Sequence, residues 1–146
     1  MTQRILVVDD EAANVELLKS FLADTADEIR GVTESTAVEQ AFTEFEPDLV
    51  LIDLHMPEPD GLEILRRLRS PRAALGFLPV IVLTADDRTV ARNSALLLGA
   101  DDFLAKPLDR TEVRLRVRNL LQTRHLFKEV TRATGSFPHI ERPASP

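Results

Sequence analysis

Short apolar runs alternate with amphipathic segments along most of the chain, and this alternation predicts its secondary structure. Three of the runs, ILVV, LVLI and VIVL, contain only apolar residues, which is typical of strands buried on both faces of a sheet. A weaker run and a shorter run complete the set. The predicted strands are Ile5–Val8, Glu28–Val32, Leu49–Ile52, Val80–Leu83 and Phe103–Ala105.

The segments between these strands have the periodicity of helices. In the first of them, Val15, Leu18 and Leu22 share one face. Ser35 is a candidate N-cap of the second helix, and Gly99 is placed to end the fourth. The predicted helices are Ala12–Leu22, Ser35–Phe45, Gly61–Arg69, Thr89–Leu98 and a long helix from Leu108 onward. Five strands that alternate with five helices predict an α/β fold, with a parallel sheet covered on both faces.

The composition indicates one folded domain without thiol chemistry. The 146 residues are 44% hydrophobic, which is enough for a core. The absence of Cys excludes disulfides and thiolate metal sites, and His55, His125 and His139 are too scattered for a zinc cluster. No stretch resembles a signal peptide or a transmembrane segment, so we expect a cytoplasmic protein without membrane contact. Residues 134–146, rich in Pro and Ser, are expected to form a disordered tail or linker.

The net charge of −6 conceals an asymmetry along the chain. Residues 1–109 carry 10 Lys/Arg and 21 Asp/Glu, whereas residues 110–132 carry 7 Lys/Arg and 2 Asp/Glu. The acidic part should not attract nucleic acid. The arginines of the basic part are interpreted as the solvated face of a helix. We therefore expect no direct binding of nucleic acid.

Polar side chains follow each inner strand where that strand ends. Asp9 and Asp10 follow the first strand, Asp53 the third, Thr84 the fourth and Lys106 the fifth. In an open parallel sheet, ligands bind outside the carboxyl ends of the strands. We therefore expect these residues to face one pocket.

Each of these residues also has an ordinary structural interpretation. Asp9 or Asp10 could cap the first helix, Thr84 could cap the helix that follows it, and Lys106 could be a surface lysine. Asp53 is the hardest to explain in this way. No helix starts directly after it, and a carboxylate at the end of a buried strand is costly unless something neutralises it. Because all the ordinary interpretations would have to hold together, we favour a shared site.

Three carboxylates in one pocket need a positive partner. Two like charges ~4 Å apart repel by about 4 kcal/mol at an effective dielectric near 20, so either one carboxyl stays protonated or a cation binds among them. The available ligands are hard oxygens, which favours Mg²⁺, or Mn²⁺, over zinc. A divalent ion and Lys106 around one carboxylate suit a phosphoryl group.

At these positions the sequence resembles the receiver domain of two-component response regulators. The matching segments are ILVVDDE (5–11), DLVLIDLHMPEPDGLEIL (48–65), PVIVLTA (79–85) and GADDFLAKPL (99–108). They occur in the family's order and cover about residues 3–122. The resemblance implies a flavodoxin-like (βα)5 fold with strand order 2-1-3-4-5. We accordingly divide the chain into a receiver domain (1–122), an extension of the last helix (123–133) and the tail (134–146).

The resemblance implies how the carboxylates would act. Asp53 would accept a phosphoryl group from a phosphohistidine on a sensor histidine kinase or a phosphotransfer protein. Asp10, Asp53 and the backbone carbonyl of His55 would bind Mg²⁺, with Asp9 assisting through water. The protein would then be a phosphoacceptor signalling domain rather than an enzyme, with only Mg²⁺-dependent self-phosphorylation and autodephosphorylation.

The resemblance also implies how the switch would work. Thr84 and Lys106 would bind the phosphoryl oxygens, and Phe103 would be the aromatic residue that changes rotamer. The Lys106–Pro107 peptide bond would be cis. His55 and Asp86 would flank the phosphoryl group and tune its lifetime.

Three other functions are alternatives to a phosphorylated receiver domain. A haloacid-dehalogenase-like phosphatase also uses an aspartate nucleophile at a strand end, but its D-x-D motif is Asp53-Leu54-His55 here and lacks the second Asp. A P-loop enzyme needs G-x-x-x-x-G-K-[ST], which the sequence does not contain. An interaction module that is never phosphorylated stays open as an alternative.

The basic segment after the receiver points to partners. The run EVRLRVRNLLQTRHLFKEV (112–130) resembles the extended last helix of receivers that precede cyclic-di-GMP phosphodiesterase or similar output domains, so a C-terminal output domain in a longer chain is possible. We expect Leu126, Phe127 and Val130 to lie exposed beyond the core. We also expect a homodimer through the fourth helix, fifth strand and fifth helix. Charges for that contact are offered by Arg88, Arg92, Asp101, Asp102, Arg114, Arg116 and Arg118.

Overall fold

The five predicted strands form one parallel sheet. The computed structural model describes residues 3–57, 60–68, 77–85, 93, 94, 96 and 99–134. The strands are β1 (Arg4–Val8), β2 (Glu28–Val32), β3 (Leu49–Asp53), β4 (Val80–Thr84) and β5 (Asp102–Ala105). Their order is β2-β1-β3-β4-β5, and every neighbouring pair is parallel. The predicted fold class and strand order are therefore confirmed.

Helices connect the strands and cover the sheet. They are α1 (Ala12–Leu22), α2 (Val38–Phe45), α3 (Gly61–Leu68) and a helix over Arg110–Thr134, here named the C-terminal helix. The predicted N-cap at Ser35 is wrong. Ser35 begins a short 3-10 helix, Ser35–Ala37, and its hydroxyl donates to the carbonyl of Pro57 at 3.1 Å. The N-cap of α2 is Ala37, without a side-chain hydrogen bond.

The core has one layer on each face of the sheet, which explains why the inner strands are apolar throughout. Alternate strand residues, such as Val50 and Ile52, pack against α2 and α3. The residues between them, such as Leu49 and Leu51, pack against α1 and the C-terminal helix. Since successive side chains of a strand point to opposite faces, no position of β3 can be polar until the strand reaches its end.

Some expectations lie mostly outside the described residues. Of the predicted helix Thr89–Leu98, only Asn93, Ser94 and Leu96 are described, and they are helical. Gly99 follows with φ 103° and donates its N–H to the carbonyl of Leu96 at 3.1 Å, as expected of a glycine that ends a helix. Also outside the described residues are Asp86, Arg88, Arg92 and residues 135–146 of the predicted tail. Within the described part of the chain, no helix is long and apolar enough to cross a membrane.

The C-terminal helix remains attached to the sheet beyond the receiver core. At the amino end of β3, Asp48 accepts hydrogen bonds from the N–H of Arg4 at 2.9 Å and from Arg124 Nε at 3.0 Å. Lys128 Nζ lies 3.3 Å from the same carboxylate. A second guanidinium nitrogen of Arg124 donates to the carbonyl of Phe77. We call this group of contacts the Asp48 anchor.

The expected exposed patch at the end of this helix is only partly correct. Leu126 and Val130 are 56% and 45% exposed. Phe127 is half-buried, and its ring lies 6.1 Å from that of Phe77. The helix therefore packs along the amino edge of the sheet for two further turns and does not project freely at Phe127.

We expect Asp48→Ala to destabilise the protein measurably. The substitution removes the acceptor of two cations and leaves the half-buried Arg124 without its carboxylate. The expected loss in the free energy of unfolding is about 2 kcal/mol, the range of hydrogen bonds to charged groups. Urea denaturation measures this loss. Glu129→Ala is the control because it breaks an exposed pair with Arg132, and such pairs contribute under about 1 kcal/mol. Equal stability of the two variants would contradict the Asp48 anchor.

Candidate functional site

The carboxyl ends of the strands bring the predicted site residues to one edge of the sheet. Asp9 follows β1, Asp53 is the last residue of β3, and Thr84 is the last residue of β4. These three are the buried polar residues among those that the structure describes, with 0%, 2% and 1% exposure. Lys106 directly follows β5. Burial of three polar residues together is costly unless they satisfy one another, so their mutual contacts decide what the site can do.

Lys106 contacts both buried carboxylates and offsets part of their negative charge. Its Nζ lies 3.2 Å from Asp9 Oδ2 and 3.3 Å from Asp53 Oδ2. Burial by itself lowers the pKa of Lys106. The opposing attraction of Asp53 and Asp9, with their hydrogen bonds, outweighs burial and raises that pKa above its ordinary value. The ammonium is therefore firmly protonated, and Lys106 is not the ordinary surface lysine of the alternative interpretation.

The charged form of Asp53 remains disfavoured in spite of this partner. Burial raises its pKa, and the nearby charge of Asp9 raises it further. The N–H of His55, which donates to Asp53 Oδ1 at 3.0 Å, and the ammonium of Lys106 act in the opposite direction but do not cancel the shift. The carboxylate of Asp53 is therefore more basic than an ordinary aspartate, as suits a nucleophile or a metal ligand.

Asp10 completes a cluster of three carboxylates. Asp9, Asp10 and Asp53 each offer one oxygen, and these oxygens lie within 4.8 Å of one another. Asp10 is exposed, so the cluster is open to solvent on one side. A single ammonium offsets one of the three negative charges. The donor set consists of hard oxygens with excess negative charge, which fits Mg²⁺ or Mn²⁺.

The structure excludes helix capping as the main role of the first two aspartates. The N-cap of α1 is Glu11, and no side-chain hydrogen bond caps this helix. Asp9 instead directs its carboxylate into the site, where Oδ1 accepts the N–H of Glu11 at 3.0 Å and Oδ2 accepts from Lys106.

The end of β4 is joined to both of its neighbours. The N–H of Lys106 donates to the carbonyl of Thr84 at 2.8 Å. On the other side, His55 Nε2 lies 3.2 Å from Thr84 Oγ1. The Lys106–Pro107 peptide bond is cis, as the resemblance implied. Phe103 is half-buried and packs against the core layer that contains α2 and α3.

One positioning residue, Gly61, was not identified from the sequence. A Cβ atom at Gly61 would lie 2.2 Å from the carbonyl oxygen of Asp53 and 2.6 Å from Leu54 Cα. The start of α3 therefore packs directly on the backbone that follows the site aspartate. Asp60 caps this helix by accepting the N–H of Glu63 at 2.9 Å. The Asp-Gly pair in the motif DLVLIDLHMPEPDGLEIL was the available signal, because Gly permits close backbone approach.

Comparison with known proteins agrees with this geometry. The family model of the response regulator receiver domain matches residues 5–118. The transcriptional regulatory protein GltR of Pseudomonas aeruginosa is 36% identical over 118 residues, which cover 81% of this chain and 48% of that protein. The alkaline phosphatase synthesis regulator PhoP of Bacillus subtilis is 37% identical over 123 residues, which cover 84% of this chain and 50% of that protein. The chain thus spans about half the length of these curated relatives.

Solved structures show the same fold. The signal receiver domain of a LuxO repressor protein from Vibrio parahaemolyticus superimposes with a TM-score of 0.82 at 25% identity, covering 89% of this chain and 98% of that one. A response regulator from Chloroflexus aurantiacus gives a TM-score of 0.77 at 30% identity, covering 84% and 99%. The haloacid-dehalogenase alternative finds no support in these matches. Together with the carboxylates and the lysine at the sheet edge, they establish that this chain belongs to the response regulator receiver domain family of two-component signalling.

Proposed function

We propose that Asp53 is the phosphoacceptor of this receiver domain. The observation that carries the proposal is the ammonium of Lys106, which lies within 3.3 Å of Asp53 and within 3.2 Å of Asp9. An anionic nucleophile can approach an anionic phosphoryl group only where positive charge offsets the repulsion between them. The donor would be a phosphohistidine of a sensor histidine kinase or of a phosphotransfer protein.

In this transfer the protein forms a single new bond, from Asp53 to phosphorus. A carboxylate oxygen of Asp53 attacks phosphorus, the P–N bond to the donor imidazole breaks, and the imidazole leaves with the electron pair and accepts a proton. Because the transition state of phosphoryl transfer is stabilised mainly by positioning and charge, the fixed carboxylate and Lys106 are the main contributions of this chain. Self-phosphorylation by small donors and autodephosphorylation follow from the same arrangement.

Asp9, Asp10, Asp53 and the backbone carbonyl of His55 are the residues that would hold Mg²⁺, or Mn²⁺ in its place. The ion would supply the positive charge that Lys106 alone does not provide among three carboxylates. Exposed Asp10 would leave the site accessible to a hydrated ion.

The conformational switch would begin at Thr84. A phosphoryl group on Asp53 adds negative charge beside the hydroxyl of Thr84, which would donate a hydrogen bond to it. Phe103 is only half-buried, so its ring can repack when the end of β4 moves. The surface around β5 would then differ between the two states.

The output that this switch would control is also a proposal. The curated relatives named above are transcriptional regulators, and another similar structure is the receiver of an HD domain-containing protein from Pseudomonas fluorescens. We therefore propose control of a C-terminal output domain or a separate partner through the C-terminal helix. The boundaries of the receiver (1–122), helix extension (123–133) and tail (134–146) stay predictions, as does cytoplasmic location.

The homodimer also stays a prediction. Several of the charged residues expected at its interface already have partners within the chain. Arg116 pairs with Asp102 at 2.7 Å, and Arg114 pairs with Asp24 at 2.7 Å. Asp101 accepts the N–H of Val80 at 2.8 Å. These charges are engaged within the chain, so a dimer through β5 and the C-terminal helix would have to exchange or share the ion pairs.

We expect acetyl phosphate and Mg²⁺ to phosphorylate Asp53. Borohydride trapping followed by peptide mass spectrometry locates the modified residue. Asp53→Asn should lose the modification, because an amide cannot form the acyl phosphate. Chelation of the metal should also abolish it, because the three carboxylates then repel the incoming group.

Glu16→Ala is the matched control, since it removes an exposed carboxylate that pairs with Lys19 and is not part of the cluster. A label that persists in Asp53→Asn at the yield of the wild type would refute the assignment. A folded wild-type protein that acquires no label would favour the module that is never phosphorylated.

We expect millimolar Mg²⁺ to raise the melting temperature by about 3 °C or more, since a ligand that binds only the folded state stabilises it. Asp10→Ala should remove most of this response. In the metal-free protein, the same substitution should raise the melting temperature because it relieves repulsion within the cluster. Differential scanning calorimetry with and without Mg²⁺ tests both effects against Glu16→Ala. A lower metal-free melting temperature of Asp10→Ala would show that the electrostatic account of the cluster is wrong.

A further inference from the structure

The C-terminal helix is held to the receiver in two different ways along its length. Its inner half, residues 110–121, presents Val113, Val117 and Leu121 to the sheet, and these side chains are 0%, 0% and 4% exposed. In its outer half, residues 122–133, no residue is buried. Burial of apolar side chains is the main contribution to helix packing, so the outer half is held less strongly than the inner half.

Polar contacts hold the outer half instead. Arg124 and Lys128 lie one turn apart, and both approach the same carboxylate oxygen, Asp48 Oδ1, at 3.0 and 3.3 Å. Arg124 also donates to the carbonyl of Phe77, and the ring of Phe127 lies 6.1 Å from the ring of Phe77. One carboxylate therefore holds two successive turns of the helix.

Asp48 itself belongs to the receiver and does not depend on the helix for its position. Its N–H donates to the carbonyl of Arg4 at 2.7 Å, and its Oδ2 accepts the N–H of Arg4 at 2.9 Å. If the outer half moved away, water would reach Asp48, Arg124 and Lys128 and would offset much of the lost attraction between them. Separation of the outer half should therefore cost much less free energy than unfolding of the receiver.

We propose that the outer half is a latch that opens as a unit, by separation of Arg124 and Lys128 from Asp48, while the inner half and the receiver stay folded. Because one carboxylate holds both turns, they are released together. Opening exposes Phe127 and the two cations, so a partner that binds them would shift the equilibrium without unfolding the receiver. The latch does not require phosphorylation of Asp53, so it can fail while the proposed function holds, and the reverse.

Native-state hydrogen exchange of the full chain, measured by NMR, tests the latch. The amides of residues 127–131 are bonded within the outer half, and those of residues 117–121 within the inner half. We expect the outer amides to exchange at least about tenfold faster than the inner ones, with nearly equal opening constants among themselves. Their exchange should also depend less on urea, because local opening exposes less surface than unfolding does.

Two variants separate opening of the latch from unfolding of the receiver. Val117→Ala weakens packing that the closed and the open state both keep. It should accelerate exchange of the inner amides by at least about tenfold and leave the outer amides unchanged. Asp48→Asn keeps the size of the side chain but removes a charge that only the closed state uses. It should accelerate exchange of the outer amides by about tenfold, the range for loss of a hydrogen bond to a charged group.

Glu129→Gln is the matched control for Asp48→Asn. It makes the same change from acid to amide, but in an exposed pair with Arg132, at 2.9 Å, that lies entirely within the helix. We expect it to accelerate exchange of the outer amides by about twofold or less.

Three results would overturn the proposal. Equal acceleration of both sets of amides by Val117→Ala would show that the outer half is released only when the receiver unfolds. If this variant did not fold, an equal urea dependence of both sets in the wild type would show the same. Protection that declines residue by residue toward Thr131, and that Asp48→Asn does not change, would show simple fraying. Outer amides that exchange as in an unfolded chain would show that the helix is not docked at all.

Discussion

The contact of one ammonium with two buried carboxylates is the interaction on which the site depends. Asp9 and Asp53 are almost fully buried at neighbouring strand ends, where two like charges would repel strongly. Lys106 reaches both of them from the end of β5. It offsets part of the repulsion between them, yet Asp53 keeps a raised pKa and the ammonium does not compensate the charge of Asp10. This residual imbalance makes the site receptive to a cation and to a phosphoryl group.

The parallel sheet makes this contact possible. Side chains at the carboxyl ends of β1, β3, β4 and β5 converge because all the strands run in one direction. Gly61 lets α3 pack on the backbone of Asp53, and the His55 N–H fixes one oxygen of that carboxylate. At the opposite edge, the Asp48 anchor attaches the C-terminal helix to the start of the same strand. Strand β3 therefore connects the Asp53 site at its carboxyl end to the C-terminal helix at its amino end, and this helix would transmit the switch to a partner.

Most of the fold could be predicted, and so could the convergence of Asp9, Asp53 and Lys106 at one edge of the sheet, because both depend on local patterns. Apolar runs such as Leu49–Ile52 identify buried strands, and the charged residue that ends each run identifies the sheet edge. Details that depend on tertiary packing could not be predicted. Ser35 contacts Pro57 across the structure instead of capping its own helix, and Phe127 packs on Phe77, about fifty residues away in sequence. The contact of His55, which follows β3, with Thr84 at the end of β4 joins residues distant in sequence, so no local pattern could indicate it.

A crystal structure of the protein with Mg²⁺ and trifluoroberyllate tests the central claim most directly. Our account predicts beryllium bonded to a carboxylate oxygen of Asp53, with Lys106 Nζ within hydrogen-bond distance of a fluoride and the metal ion held by the neighbouring aspartates. The ammonium would then have moved part of its contact from Asp53 to the bound group. Trifluoroberyllate bound away from Asp53, or bound there with Lys106 directed to solvent, would contradict the account.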